Sequence, residues 1–295
     1  MSTASAIGAP AAAPGRHPAA VRHWLRLLRS ELRNVFLRPR NMAMLAVVAG
    51  APVFLGVVMW LNTPEPGSGG PGAGVFVGQI AGNGVFLSLF AIYVLLTVLL
   101  PLAVSVVAGD SVAGEAGLGT LRTLLTVPAG RIRLLLVKYV MIVLFCLTAT
   151  VLVAGVGLLM GAIFFPVGPV TLLSGTTVSL GAGLARLAVI VVYVAAALSA
   201  LGAIGLALST FTQHAIAVMA TVLVLVIVSE ILDAVSQVAA IHPYLPTHFW
   251  FSFDALLRTP IAWSQVTHGL ASFAAYTVIF GAVAWTRMRR ANITC

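Results

Sequence analysis

Gly109–Lys138 reads GDSVAGEAGLGTLRTLLTVPAGRIRLLLVK, the only long stretch between hydrophobic spans that combines acids, arginines and helix-forming residues. The apolar blocks on either side, 84–108 and 138–165, are each long enough to cross a hydrocarbon core of about 30 Å. The stretch therefore reads as a structured excursion on one side of a bilayer. A membrane protein that keeps a helical loop of this kind on its cytoplasmic side uses it to touch a soluble partner.

Working outward, further apolar runs give six spans, at roughly 42–61, 84–108, 138–165, 184–209, 214–232 and 264–286. The 295 residues are 60% hydrophobic and 8% charged, where a soluble domain carries about 25% charged residues. Runs of this length also exclude the short alternating strands of a β-barrel. The expected fold is all-α and polytopic, and divides into a disordered tail (1–20), an amphipathic interfacial helix (21–40), a six-span domain (41–290) and a short tail (291–295). The first 20 residues, rich in Ala, Pro and Gly, lack the apolar core of a signal peptide.

The net charge of +9 is not a nucleic-acid footprint, because of where the charge lies. Of the 16 basic residues, seven fall in Arg16–Arg40, four in Arg122–Lys138 and three in Arg287–Arg290. Clustering beside span ends orients helices, and it puts the N-terminal segment, the 109–138 loop and the Arg287–Arg290 tail together on the cytoplasmic face. Both termini are then cytoplasmic. The Ala, Val, Leu and Arg bias points to a high-GC bacterium, hence to its cytoplasmic (inner) membrane. Glu65, Glu230, Asp233 and Asp254 fall in or near the outer segments.

Within Val21–Phe36, a wheel at 100° per residue groups Arg22, Arg26, Arg29 and Arg33 within about 60°. Trp24, Leu25, Leu28, Leu32, Val35 and Phe36 take the opposite side, the pattern of a helix lying at the lipid surface. Pro39 allows a sharp turn into the first span. Asn62–Ala81, with its PEPGSGGPGAG run, reads as a flexible outer loop. The outer segment Asp233–Trp263 carries His242, His248, Trp250 and several Phe, which favour a stretch lying among headgroups or re-entering the bilayer. The two cysteines, Cys146 and Cys295, read as free thiols.

Inside the central loop, Ser111–Leu125 reads as a short helix with Asp110 and Glu115 near its positive N-terminus. Gly117 and Gly119 permit close backbone approach, Pro128–Gly130 makes a turn, and Lys138 opens the next span at the lipid boundary. An acid, then Gly-Thr-Leu-Arg, a Leu pair, a Pro turn, an Arg and a Lys resembles the signature of type-2 ATP-binding-cassette (ABC) export permeases. The positions are Glu115, Gly119, Thr120, Leu121, Arg122, Leu124, Leu125, Pro128, Arg131 and Lys138. The amphipathic helix, the six spans and the re-entrant-like segment extend the resemblance from about Arg22 to Arg290. It implies a cytoplasmic coupling helix between spans two and three, seated on a nucleotide-binding ATPase subunit, with Glu115 and Arg122 as main contacts and Asp110, Gly119, Thr120 and Arg131 beside them. Ala129-Gly130 before Arg131 departs from the family pattern.

The chain itself is not expected to be an enzyme. A P-loop needs Lys followed by Ser or Thr, and the one lysine, Lys138, precedes Tyr139. No GxSxG elbow is present either. No cofactor is expected on this chain; ATP and Mg belong on the partner subunit. Six spans are half of the usual assembly, which implies a second permease copy or a homologous permease, and membrane lipid around it. The family's habit suggests an amphipathic cargo, such as a drug, natural product or lipid. Glu230 and Asp233, one turn apart near the outer face, are candidates for the path of a cation, against the plainer reading of a solvated helix end or an ion pair with Arg186 or Arg258. No metal is expected, since His242 and His248 lack further ligands at suitable spacing. The rival classes are an ATP-independent transporter or channel, and a membrane anchor that recruits a soluble protein without transport.

Overall fold

The computed structural model describes residues 30–33, 35–62, 74–114 and 131–290. A short helical stretch (30–33 and 35–37) bends at Arg38 and delivers the chain to α1 (Pro39–Leu61) with Pro39 in its first turn. Proline suits that place because the first-turn N–H has no intrahelical acceptor to lose. There follow α2 (Gly74–Ile80), α3 (Val85–Thr97), α4 (Leu99–Gly109), a π turn (Asp110–Gly114), α5 (Arg131–Phe164), α6 (Leu180–Ser209), α7 (Ala215–Asp233) and α8 (Trp263–Arg290). Between α5 and α6 lies a small antiparallel hairpin, β1 (Val170–Thr171) with β2 (Thr177–Val178). Two 3-10 helices, Ser236–Tyr244 and Ser252–Leu257, separate α7 from α8.

Among the described residues, five helices (α1, α5, α6, α7 and α8) are long and apolar enough to cross a membrane, and the bent pair α3–α4 makes a sixth if it is one span. Span two is thus broken, by 54°, at Val98, whose φ of −139° leaves the helical range. The cause lies three residues on. Pro101 has no N–H for the Thr97 carbonyl, and its ring collides with that carbonyl in a straight helix. Span three is longer than the hydropathy suggests: α5 begins at Arg131, and its 34 residues extend about 51 Å. It must tilt or project beyond the hydrocarbon.

The core centres on α6, whose apolar window is 78% buried, against 17% for α1 and α8. Ser179 caps α6 by accepting from the Ala182 N–H at 3.3 Å. The most extensive helix pairing is α8 on α6, followed by α3 on α5 and α6 on α5. Small residues set those distances. Gly84 and Gly161 bring the backbones of the α3 N-terminus and α5 together so closely that a Cβ on either would land on the other's carbonyl. Gly157 does the same against Ser88, whose hydroxyl donates to the Ala154 carbonyl at 3.1 Å. Gly202 and Gly205 of α6 seat Ile142 and Ala108, whereas Gly155 faces open space and sets no crossing. Leu61, Phe54, Ile216, Ile231 and Val278 point outward from α1, α7 and α8, an apolar exterior suited to lipid or to a second subunit.

One connecting segment differs from its sequence reading. The Asn62–Ala81 stretch is not loop throughout: Gly74–Ile80 is a helix with Phe76, Gly78 and Ile80 buried. Phe, Val and Ile in that stretch find an apolar face on α3, which outweighs the neighbouring glycines. The Asp233–Trp263 segment is folded into the bundle end. Trp250 and Phe253 are almost fully buried, and the Tyr193 hydroxyl of α6 donates to the Phe249 carbonyl at 2.7 Å.

Candidate functional site

Polar groups gather at the two ends of the bundle. At the end that bears Arg287, Arg289 and Arg290, α4 runs into the π turn and presents Asp110. Arg40, one residue into α1 beyond Pro39, reaches it with Nη1 to Oδ2 at 3.1 Å, and its Nη2 lies 3.1 Å from Met219 Sδ of α7. Ser111 donates to the Ala108 carbonyl at 2.5 Å and lies 3.4 Å from Ser209 Oγ at the end of α6. Glu31, Asn41, Asp110 and Lys138 line a small pocket of about 30 Å3 beside them. Lys138 and Glu31 are buried there, so the Lys138 side chain is packed inside the bundle. Asn41 donates to the Val35 carbonyl at 2.8 Å and ties the short helical stretch to α1. Arg287 lies over the Phe211 ring, 5.3 Å from its centroid, which places the α6–α7 turn at this same end. The grouping expected from the arginines, N-terminal segment, loop base and α8 terminus, is a spatial one, and the uncharged α6–α7 turn joins it.

Of the residues proposed to contact an ATPase, Asp110 stands at the loop base and Arg131 is the first residue of α5. Glu115, Gly119, Thr120 and Arg122 lie outside the described residues. So do Arg22, Trp24, Arg26 and Arg29 of the interfacial helix, and Arg33 is exposed on its described end.

The other end holds the acids. Asp233, at the end of α7, sits 2.5 Å from His248 Nδ1 and 3.8 Å from His242 Nδ1. The arginines weighed as its partners go elsewhere. Arg186 donates to the carbonyls of Leu256 and Arg258 at 2.8 and 3.1 Å, and Arg258 pairs with Asp254 at 3.2 Å. Histidine wins because the 3-10 helices fold back over α7 and bring 242 and 248 to it, a proximity that linear spacing does not display. Glu230 lies one turn earlier, half-buried, next to Ser229, whose hydroxyl is 2.7 Å from that of Thr247. Among the described residues no group of three His, Cys, Asp or Glu is arranged to hold a metal ion.

Beside this cluster opens a cavity of about 670 Å3, with Phe76 of α2, Tyr93 of α3 and Phe249, Phe251, Asp254 and Arg258 of the folded-back segment among its walls. Tyr93 and Phe251 ring centroids are 4.4 Å apart, and Phe76 is 5.9 Å from Tyr93. The sequence reading missed this site. The Asp254–Arg258 spacing of four was visible as a helical ion-pair signal, but the aromatic walls come from three separate segments.

A bundle of five or six apolar helices, with a basic end, an acidic end and an apolar exterior, defines a multi-pass helical membrane protein. The chain belongs to the family described as a protein of unknown function, DUF2705, whose match covers residues 75–294. That range runs from α2 through α8 and includes the 109–138 loop and the folded-back segment. No curated protein matches the chain.

Proposed function

We propose that this protein is the permease subunit of an ABC exporter in the cytoplasmic membrane of a bacterium, with both termini in the cytoplasm. A separate ATPase subunit hydrolyses ATP with Mg, and an amphipathic molecule crosses between this permease and a second copy or a homologue. The observation that carries the reading is the Glu115–Lys138 signature on the loop that joins α4 to α5. The setting of that loop suits a lever. Its base at Asp110 and Ser111 touches α1, α6 and α7, so a push on the loop spreads into three helices at once. Packed helices respond to such a push as rigid bodies, and the bundle then exchanges between two populated arrangements. The apolar exterior of α1, α7 and α8 leaves room for a second permease.

Co-purification of the detergent-solubilised chain with the ATPase encoded beside it tests this. Wild type is expected to retain the ATPase, and the Glu115→Ala, Arg122→Ala double variant to lose it. Absence of any associating ATPase overturns the exporter reading in favour of an ATP-independent transporter. Binding that survives the substitution keeps the exporter class and moves the contact to the interfacial helix.

A further inference from the structure

The cavity at the acidic end has the build of a ligand site. Its volume of about 670 Å3 lies within the roughly 300–1,000 Å3 of small-molecule pockets, which are mostly apolar with a few placed polar groups. Phe76, Tyr93, Phe249 and Phe251 supply aromatic surface, and Asp254 and Arg258 supply charge. An aromatic face is the negative side of its quadrupole and attracts a cation within about 6 Å of the ring. The carboxylates reinforce that preference. Asp233 sits behind the lining residue His248, and Glu230 is one turn back on α7. Asp233 is itself engaged by His248 and His242, and the Arg186 guanidinium is turned to the carbonyls of Leu256 and Arg258, which leaves Asp254 as the carboxylate in the cavity wall. The remaining pair, Asp254 with Arg258, has side chains 37% and 57% exposed. Such a pair is weak, and Asp254 can exchange Arg258 for a cationic guest.

We propose that this cavity binds lipophilic organic cations, a positive nitrogen or phosphorus centre carrying aromatic or apolar substituents. The aromatic walls take the substituents, the face that the Tyr93–Phe251 pair leaves open to the cavity takes the positive centre, and Asp254 balances its charge. A bare inorganic cation is a poor fit, because the walls offer carbon where a hard ion needs several oxygens. An anion would meet both the ring faces and the Asp254 carboxylate. The proposal is independent of the exporter reading, since it concerns equilibrium binding without any ATPase.

Tetraphenylphosphonium is the probe, and tetraphenylborate, of the same shape and opposite charge, is its control. Binding of radiolabelled probe to the full chain in lipid nanodiscs is measured after subtraction of the signal from protein-free nanodiscs. The wild type should bind the phosphonium saturably and the borate at least tenfold more weakly, as expected for about 1.4 kcal/mol of charge preference. Asp254→Asn should weaken the phosphonium about tenfold and Phe251→Ala about fivefold, within the range of cation–π contributions. Arg258→Gln removes the competing guanidinium and should tighten binding severalfold, a gain that misfolding cannot produce. Unsaturable binding, equal affinity for the borate, or an Arg258→Gln variant no tighter than wild type would each overturn the proposal.

Discussion

Gly269→Ala probes the joint that holds the folded-back segment against the membrane helices. Gly269 lies on α8 where it crosses α6, and a methyl group there would overlap the Tyr193 hydroxyl and come within 3.1 Å of its Cζ and 3.2 Å of Phe249 Cβ. Tyr193 cannot swing aside easily. It is 3% exposed, packs edge-on against Phe273 at 5.3 Å, and donates to the Phe249 carbonyl at 2.7 Å. Displacing it forfeits a hydrogen bond of about 1 kcal/mol and adds overpacking of about 1–3 kcal/mol. Alanine's better helix propensity returns up to about 1 kcal/mol, which leaves a net loss of about 1–3 kcal/mol. Tyr193→Phe alone should cost about 1 kcal/mol by stranding the Phe249 carbonyl. In the double variant the clashing oxygen is gone and the hydrogen bond is lost only once, so Gly269→Ala together with Tyr193→Phe should be more stable than Gly269→Ala alone. The assay is reversible unfolding in mixed micelles with increasing SDS, followed by tryptophan fluorescence, with Trp250 buried in the same region. A coupling energy of about 2 kcal/mol is expected. Simple additivity of the two substitutions would refute the proposed contact.

Two further expectations concern the rest of the bundle. Gly84→Ala should cost at least about 3 kcal/mol, since its methyl meets the Gly161 backbone, which cannot rotate away; Gly155→Ala, with nothing within 4 Å, should be neutral or stabilising by up to about 1 kcal/mol in the same SDS unfolding measurement. Equal behaviour of the two would mean the α3–α5 backbone contact does not set stability. Asp110→Asn should change stability by less than about 1 kcal/mol, because Arg40 is half in solvent, yet, on the proposed exporter reading, lower the ATPase activity of the complex with its ATPase subunit severalfold. The swapped pair Arg40→Asp with Asp110→Arg should recover most of it, and failure to recover would show that the two residues do not act as a clamp.

Much of this architecture was legible in the chain because hydrocarbon imposes a one-dimensional rule: a span needs about 20 apolar residues and closes its own backbone hydrogen bonds. Span positions and the basic end follow from that rule and from the arginines. The break at Val98 was within reach of the same reading through Pro101, and the helix at Gly74–Ile80 was hidden by adjacent glycines that ordinarily signal loop. The site was less accessible. The Glu115–Lys138 signature and the pairing of Glu230 with Asp233 on one helix face are local patterns, readable at spacings of three or four. The partners of those acids are not local.

What the sequence alone determined is therefore membrane residence, the approximate spans, which segments share an end, and the loop with its permease-like signature; each depends on hydropathy, on charge placement or on a contiguous motif. Only the tertiary structure decided that Asp233 meets His248 instead of Arg186 or Arg258, that Lys138 is buried, and that Phe76, Tyr93 and Phe251 share one cavity. Those outcomes depend on how α2 packs on α3 and how the 3-10 segments pack on α6, α7 and α8. That folding is set by side-chain packing between residues as far apart as Phe76 and Phe253, whose ring centroids lie 6.2 Å apart. No periodicity along the chain encodes such a distance.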